Sequence, residues 1–133
     1  MSELSFDPRA SAAHRYPVEI WRFLLDSLMD DSEYVLRFSV VTLLDYYMDT
    51  THIDKVLPTL ASINSHAYYV KTAVAWALSV CYARLPIGTL ACLCSDQLDA
   101  FIRDKALQKI MESRRVAVFD KQRLRILFSR PIE

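Results

Sequence analysis

One stretch of this sequence recurs along the chain with the spacing of a helical hairpin. Segment 34–44 (YVLRFSVVTLL) matches segment 68–78 (YYVKTAVAWAL) at an offset of 34 residues, and segment 101–107 (FIRDKAL) matches segment 69–75 at an offset of 32. Repeats of this length are typical of arrays in which a shorter and a longer helix form one unit. Because one hairpin cannot bury its apolar face alone, neighbouring units stack. The repeat therefore predicts an all-α superhelix of about six or seven helices.

Glycine is nearly absent, since Gly88 is the single glycine among 133 residues. Tight β-hairpins and phosphate-binding loops need glycine for positive φ, so this composition excludes sandwiches, barrels and dinucleotide-binding α/β folds. A chain of this length is expected to form one domain with its own core. No apolar run approaches the length of about 18 residues that a membrane span needs, so no membrane partner is expected.

The apolar spacing divides the chain into a loose arm at 1–15 and a single helical domain at 16–133. The segment 1–15 has no apolar stretch of the kind that a signal peptide needs. Helices are expected from residue 17 to just before residue 30, and then near 33–48, 51–64, 67–84, 86–94, 96–112 and 118–129.

Capping residues and prolines predict where several of these helices begin or break. Pro17 suits the first turn of the first helix, and Ser32 is predicted to be the N-cap of the second. Pro58 is predicted to kink or split the third helix. Ser95 or Asp96 is expected to cap the sixth.

Charge is balanced over the chain but not along it. Residues 1–100 carry 7 Lys/Arg and 12 Asp/Glu, a net of −5, whereas residues 101–133 carry 9 Lys/Arg and 4 Asp/Glu, a net of +5. The basic end includes Lys109, Arg114 and Arg115. Such a block favours either an end that faces phosphates or a solvated helix face.

The three cysteines, Cys81, Cys92 and Cys94, are an odd count. In the absence of a signal peptide they predict reduced thiols in a cytoplasmic protein. Cys92 and Cys94 form a C-x-C pair, but no second pair and no nearby histidine completes a zinc set. We therefore expect no metal and no cofactor.

A basic residue occupies the same place in each copy of the repeat: Arg37, Lys71 and Arg103. If the longer helices line one surface, these cations recur along it and contact phosphates. In the alternative, they form ion pairs between repeats with acids such as Asp45, Asp49 and Asp104.

Three segments resemble the bacterial DNA alkylation repair family, the AlkD-type alkylpurine DNA glycosylases built from HEAT-like repeats. They are 34–47, 68–82 and 105–114, and the likeness extends from Tyr16 to Arg130. The most specific stretch is Val70-Lys-x-Ala-Val-Ala-Trp-Ala-Leu78. The resemblance implies a C-shaped superhelix of HEAT-like helical-hairpin repeats whose concave face holds duplex DNA by its backbone. It also implies hydrolysis of the N-glycosidic bond of N-alkylated purines, with no cofactor.

The resemblance assigns roles to four residues. Arg37 matches a concave-face arginine beside the DNA backbone, and Lys71 and Arg103 extend that phosphate track. Trp76 matches an aromatic residue of the lesion cleft, where an indole can hold a cationic base by cation–π attraction; the alternative for Trp76 is core packing. Binding to duplex DNA is expected to be weak and to fall as salt rises.

The sequence departs from the family pattern at two places. The helix that carries the family's catalytic aspartate has no counterpart in 1–15, so the resemblance covers the C-terminal half of the family domain and the catalytic residue is unassigned. Ser79 stands where one branch has an arginine. A homodimer or a partner that supplies the missing half is compatible with this pattern. A protein-interaction module that is not an enzyme, or an inactive remnant, remains an alternative function.

Overall fold

The computed structural model describes residues 17–30, 32–48 and 52–128, and these residues are all-helical, as the sequence predicts. The arm expected at 1–15 lies outside the described residues. The described part contains seven helices, which are α1 Pro17–Ser27, α2 Glu33–Tyr46, α3 Ile53–Ala61, α4 Tyr68–Arg84, α5 Pro86–Leu93, α6 Ala100–Glu112 and α7 Val118–Phe128. Within these ranges no helix combines the length and the apolarity that crossing a lipid bilayer requires.

Short and long helices alternate along the first six elements. Helices α1, α3 and α5 have 11, 9 and 8 residues, whereas α2, α4 and α6 have 14, 17 and 13. Helix α4 packs against α2 on one side and against α6 on the other. We call α2, α4 and α6 the long-helix layer.

The three helices of this layer run in the same direction. Tyr34 of α2 and Tyr69 of α4 line one cavity, and the ring of Tyr68 of α4 contacts that of Phe101 of α6. The first turns of the three helices therefore lie at one end of the layer. Their last turns line a second cavity at the opposite end.

Helix α4 is the centre of the core because it is flanked on both sides. Nine of its 17 residues are buried, and the small side chains of Ala73 and Ala77 allow the neighbouring helices to approach closely. Cys81 is buried in the same helix, with its Sγ 3.7 Å from the Sδ of Met48. Its buried apolar side chains include Val70, Ala73, Val74, Ala77, Leu78 and Cys81.

Gly88 serves close packing rather than a turn, since no described residue has positive φ. A Cβ on Gly88 would lie 3.1 Å from Cδ2 of Leu85 and 3.3 Å from Cδ1 of Leu57. Those distances are tighter than ordinary contact, so glycine lets α5 lie directly on α3.

Two of the four local predictions are confirmed, one is wrong, and for Pro58 the split is excluded while the kink stays a prediction. Pro17 begins α1, and Ser32 caps α2, where its Oγ accepts a hydrogen bond from the amide of Val35 at 3.3 Å. The expected split at Pro58 does not occur, because α3 continues through it to Ala61. The cap of α6 is neither Ser95 nor Asp96.

The cap of α6 is Asp99, whose carboxylate accepts from the amides of Phe101 and Ile102 at 2.8 and 3.2 Å. The Oγ of Ser95 instead accepts from the amide of Gln97 and closes a turn before the helix. Ser95, Asp96 and Asp99 lie in one short connector and are all residue types that can cap a helix, and the one next to the first helical residue takes the cap.

Candidate nucleic-acid interface

A cleft of about 520 Å³ lies at the carboxyl-terminal end of the long-helix layer. We call it the Trp76 cleft. All three long helices contribute to it, because their last turns lie side by side. The polar and aromatic residues that line it are Asp45 from α2, Trp76 and Ser79 from α4, and Lys109, Glu112 and Arg115 from α6 and the residues after it.

Trp76 forms one wall of the cleft and is not a core residue. Its neighbours Ala75 and Ala77 are fully buried, whereas the indole itself is 49% exposed. The sequence left core packing and a cleft role open for Trp76. The exposure of the indole excludes core packing, and the role implied by the resemblance stays a prediction. An open indole face in a concave site is available to a flat or cationic ligand.

Both signs of charge line the same cleft. Asp45 and Glu112 supply carboxylates, and Glu112 accepts a hydrogen bond from Nε2 of Gln108 at 3.3 Å. Lys109 and Arg115 supply cations, and within the described ranges neither side chain forms an ion pair. The carboxylates suit a cationic group near the indole, while the cations suit phosphates.

Ser79 leaves room beside the indole. Its Oγ donates a hydrogen bond to the carbonyl oxygen of Trp76 at 2.7 Å, within the same helix. A small side chain engaged in this way lines the cleft without filling it.

Arg37 lies at the other end of the layer. It lines a shallow cavity of about 590 Å³ together with Tyr34 and Tyr69. Among the described residues, its guanidinium forms no hydrogen bond or ion pair. Arg37 and Trp76 thus belong to two separate surfaces.

Lys71 is engaged in an ion pair between repeats. Its Nζ lies 3.0 Å from Oδ2 of Asp99, the cap of α6, and 5.9 Å from the ring centre of Phe101. The partner is Asp99 rather than Asp45 or Asp104, and Asp49 lies outside the described residues. The hydrogen bond from Lys71 is the largest effect that lowers the pKa of the Asp99 carboxyl below its ordinary value, and two backbone amides act in the same direction.

Arg103 ties together the connector between α5 and α6. Its Nε donates to the carbonyl oxygen of Leu93 at 2.8 Å, and its Nη2 donates to the carbonyl oxygens of Ser95 and Leu98 at 2.9 and 3.3 Å. Three carbonyls that no helix satisfies are thereby paired. These contacts give the guanidinium a structural role.

The cations beside Trp76 were recognised in the sequence only as part of the basic end. The repeat contains the information needed to predict that Lys109 lies beside Trp76. At the offset of 32 residues Trp76 aligns with Gln108, and Lys109 is the next residue. Side-by-side stacking of the longer helices then brings Lys109 close to Trp76.

The three thiols are free and differ in accessibility. Cys81 is buried, Cys92 is partly buried and Cys94 is exposed. Burial, with a smaller contribution from Cys92, raises the pKa of the Cys81 thiol to about 12. Over the described ranges, no group of three or more His, Cys, Asp or Glu side chains is arranged to hold a metal ion.

No protein-family model, curated protein or solved structure matches this chain. The geometry of the Trp76 cleft is therefore the main basis for a functional proposal.

Proposed function

We propose that this protein binds duplex DNA across the carboxyl-terminal end of the long-helix layer and recognises an N-alkylated purine in the Trp76 cleft. N-alkylation gives the purine a positive charge. The indole of Trp76 attracts such a base, and the carboxylates of Asp45 and Glu112 balance its charge. Lys109 and Arg115 contact the phosphates that flank it.

The observation that carries this proposal is the position of Trp76. A tryptophan on an otherwise buried helix face normally gains free energy by burial, at about 25 cal/mol per Å² of apolar surface. Trp76 instead remains half exposed at the wall of a cleft. A volume of about 520 Å³ is in the range of small-ligand sites and accommodates a purine.

Lys109 and Arg115, which have no ion-pair partner among the described residues, support the DNA component of the proposal. Each Lys or Arg that neutralises a phosphate releases condensed counterions, so log Kd changes with log salt by about 0.9 per contact. Lys109 and Arg115 are placed at the cleft, whereas Lys71 and Arg103 have protein partners. We therefore move the proposed phosphate contacts from Lys71 and Arg103 to Lys109 and Arg115.

The test is a salt-titrated anisotropy assay with a duplex that contains one 7-methylguanine and with the unmodified duplex. We expect the methylated duplex to bind more tightly, and Trp76→Ala to weaken that preference about fivefold or more. Trp76→Phe is the matched control that keeps a ring, and Phe119→Ala removes an exposed ring elsewhere. Equal binding of both duplexes by all variants would contradict the proposal.

Base release is measured in the same samples. Release of 7-methylguanine would extend the function to N-glycosidic bond hydrolysis, with Asp45 and Glu112 as the carboxylates to substitute first. Binding without release would define a non-catalytic DNA reader.

A protein-interaction module is the second candidate, and the outer surface of α7 favours it. Val118, Phe119, Ile126 and Leu127 are each more than half exposed on this helix. Several large apolar side chains exposed on one helix are typical of a surface that a partner covers. Light scattering separates a monomer from a homodimer, and Phe119→Ser is expected to dissociate a dimer formed through α7.

A further inference from the structure

The amino-terminal end of the long-helix layer carries exposed aromatic side chains from three different helices. They are Tyr34 from α2, Tyr68 and Tyr69 from α4, and Phe101 from α6, and we call them the aromatic row. Tyr34 is 83% exposed and Tyr69 is 59% exposed. Rings of this size usually bury their faces, so several exposed rings in one place indicate a binding surface.

Ring contacts hold three members of the row, Tyr68, Tyr69 and Phe101, in a fixed arrangement. The rings of Tyr68 and Tyr69 meet edge to face with centres 5.3 Å apart, and Tyr68 contacts Phe101 at 5.7 Å. Lys71 lies over Phe101, and its ion pair with Asp99 anchors that end of the row to the cap of α6. Rings that are already positioned lose little conformational entropy when a ligand stacks on them.

The row opens into a cavity that contains a cation. Tyr34 and Tyr69 line a shallow cavity of about 590 Å³ together with Arg37 and Glu33. Among described residues the guanidinium of Arg37 has no partner, so it is available to an anionic group. Glu33 at the rim can accept hydrogen bonds from exocyclic amino groups of a base.

Aromatic faces beside a cation are the combination that single-stranded nucleic acid requires. Its bases stack on tyrosine rings without regard to sequence, and its phosphates pair with arginine in a bidentate arrangement. A folded duplex keeps its bases stacked inside and presents no free base face to such a row. A proline-rich peptide also stacks on tyrosines, but it offers nothing to Arg37.

We propose that the aromatic row and Arg37 bind single-stranded DNA, with unpaired bases on Tyr34 and Tyr69 and a phosphate on Arg37. The choice of DNA rests on the proposed function, whereas the surface is separate from the Trp76 cleft. The two surfaces occupy opposite ends of one layer, so a molecule of DNA with a single-stranded stretch can engage both.

The experiment measures anisotropy of a fluorescent dT 12-mer with the full chain at low salt. Tyr69→Ala and Tyr34→Ala are each expected to weaken binding about fivefold or more, and Tyr69→Phe, which keeps the ring, is expected to retain it. Arg37→Gln is expected to weaken binding and to reduce its salt dependence by about one phosphate contact. Phe23→Ala removes an exposed ring on α1 and is expected to leave dT binding unchanged within about twofold.

Three results would overturn the proposal. The first is that the dT 12-mer does not bind. The second is that wild type, Tyr69→Ala and Tyr34→Ala bind it equally well. The third is that a proline 10-mer or an rU 12-mer binds more tightly than dT and that this binding depends on Tyr69. Far-ultraviolet circular dichroism of each variant shows that a loss of binding does not come from unfolding. The duplex assay with Trp76→Ala tests the proposed function separately, so failure of one surface is distinguishable from failure of the other.

Discussion

The two ends of the long-helix layer use similar residue types for different purposes. At the amino-terminal end, Lys71 is paired with Asp99 and aromatic rings are exposed. At the carboxyl-terminal end, Lys109 and Arg115 have no ion-pair partner in the described part, and Trp76 opens into a cleft. A basic residue at a repeated position therefore does not have a repeated function, because its neighbours decide whether its charge is already satisfied.

Helix polarity contributes to this difference. The carboxyl-terminal end of a helix carries a partial negative charge, which stabilises cations placed there by about 0.3–1 kcal/mol. Lys109 lies in the last turn of α6, and Arg115 follows that helix. The dipole of α6 therefore stabilises Lys109 and Arg115 without a carboxylate partner among the described residues. Both cations can then bind a phosphate.

The largest expected effect is on the free energy of unfolding, and it compares Arg103, which binds backbone carbonyls, with Arg115, which lines the Trp76 cleft. Arg103→Ala leaves the carbonyls of Leu93 and Leu98 unpaired and removes one of the two hydrogen bonds to the Ser95 carbonyl, so the free energy of unfolding is expected to fall by about 2 kcal/mol. Arg115→Ala is expected to change it by less than about 0.5 kcal/mol. Urea unfolding measures both, and equal losses in the two variants would remove the distinction.

The next effect concerns the salt dependence of duplex binding. Lys109→Gln combined with Arg115→Gln is expected to reduce the slope of log Kd against log salt by about 2, since each phosphate contact contributes about 0.9. Lys55 is an exposed lysine on the short helix α3, so Lys55→Gln serves as the control and should leave the slope unchanged. An identical slope in the double variant and the control would place the phosphate contacts elsewhere.

The smallest expected effect concerns Lys71, the cation that pairs with Asp99 at the amino-terminal end of the long-helix layer. Because the pKa of Asp99 is lowered in the folded state, its pair with Lys71 stabilises the fold above the unfolded pKa of Asp99, and this contribution disappears as pH falls through the folded pKa. Lys71→Gln is expected to lose less than about 1 kcal/mol at neutral pH, because the pair is partly exposed. Urea unfolding at neutral pH and at a pH that protonates Asp99 should show this loss only at the former. A pH-independent difference from wild type would contradict the assignment.

The sequence predicted the all-α architecture because the apolar repeat depends only on local spacing. It also located the Ser32 cap, where the helix start is unambiguous. Of the kink or split that it predicted at Pro58, the split does not occur, because the missing amide removes one hydrogen bond from a nine-residue helix, which tertiary packing tolerates. The superhelical HEAT-like character remains a prediction.

The candidate site was predictable only in part. Trp76 stood out because an alanine-rich helix isolates it, and Arg37 stood out by its repeat position. The partners of Lys71 and Arg103 depend on where Asp99 and the α5–α6 connector lie in space, which no local pattern specifies. For the same reason, the sequence did not predict that Arg115 and Trp76 line one cleft.

The fluorescence of Trp76 tests the central claim most directly. Trp21 and Trp76 are the only tryptophans, so Trp21→Phe leaves Trp76 as the sole reporter. If the cleft receives a cationic purine, titration with the duplex containing 7-methylguanine will quench this emission saturably, and the unmodified duplex will quench it less. Emission that stays constant while anisotropy shows the duplex to be bound would contradict the account.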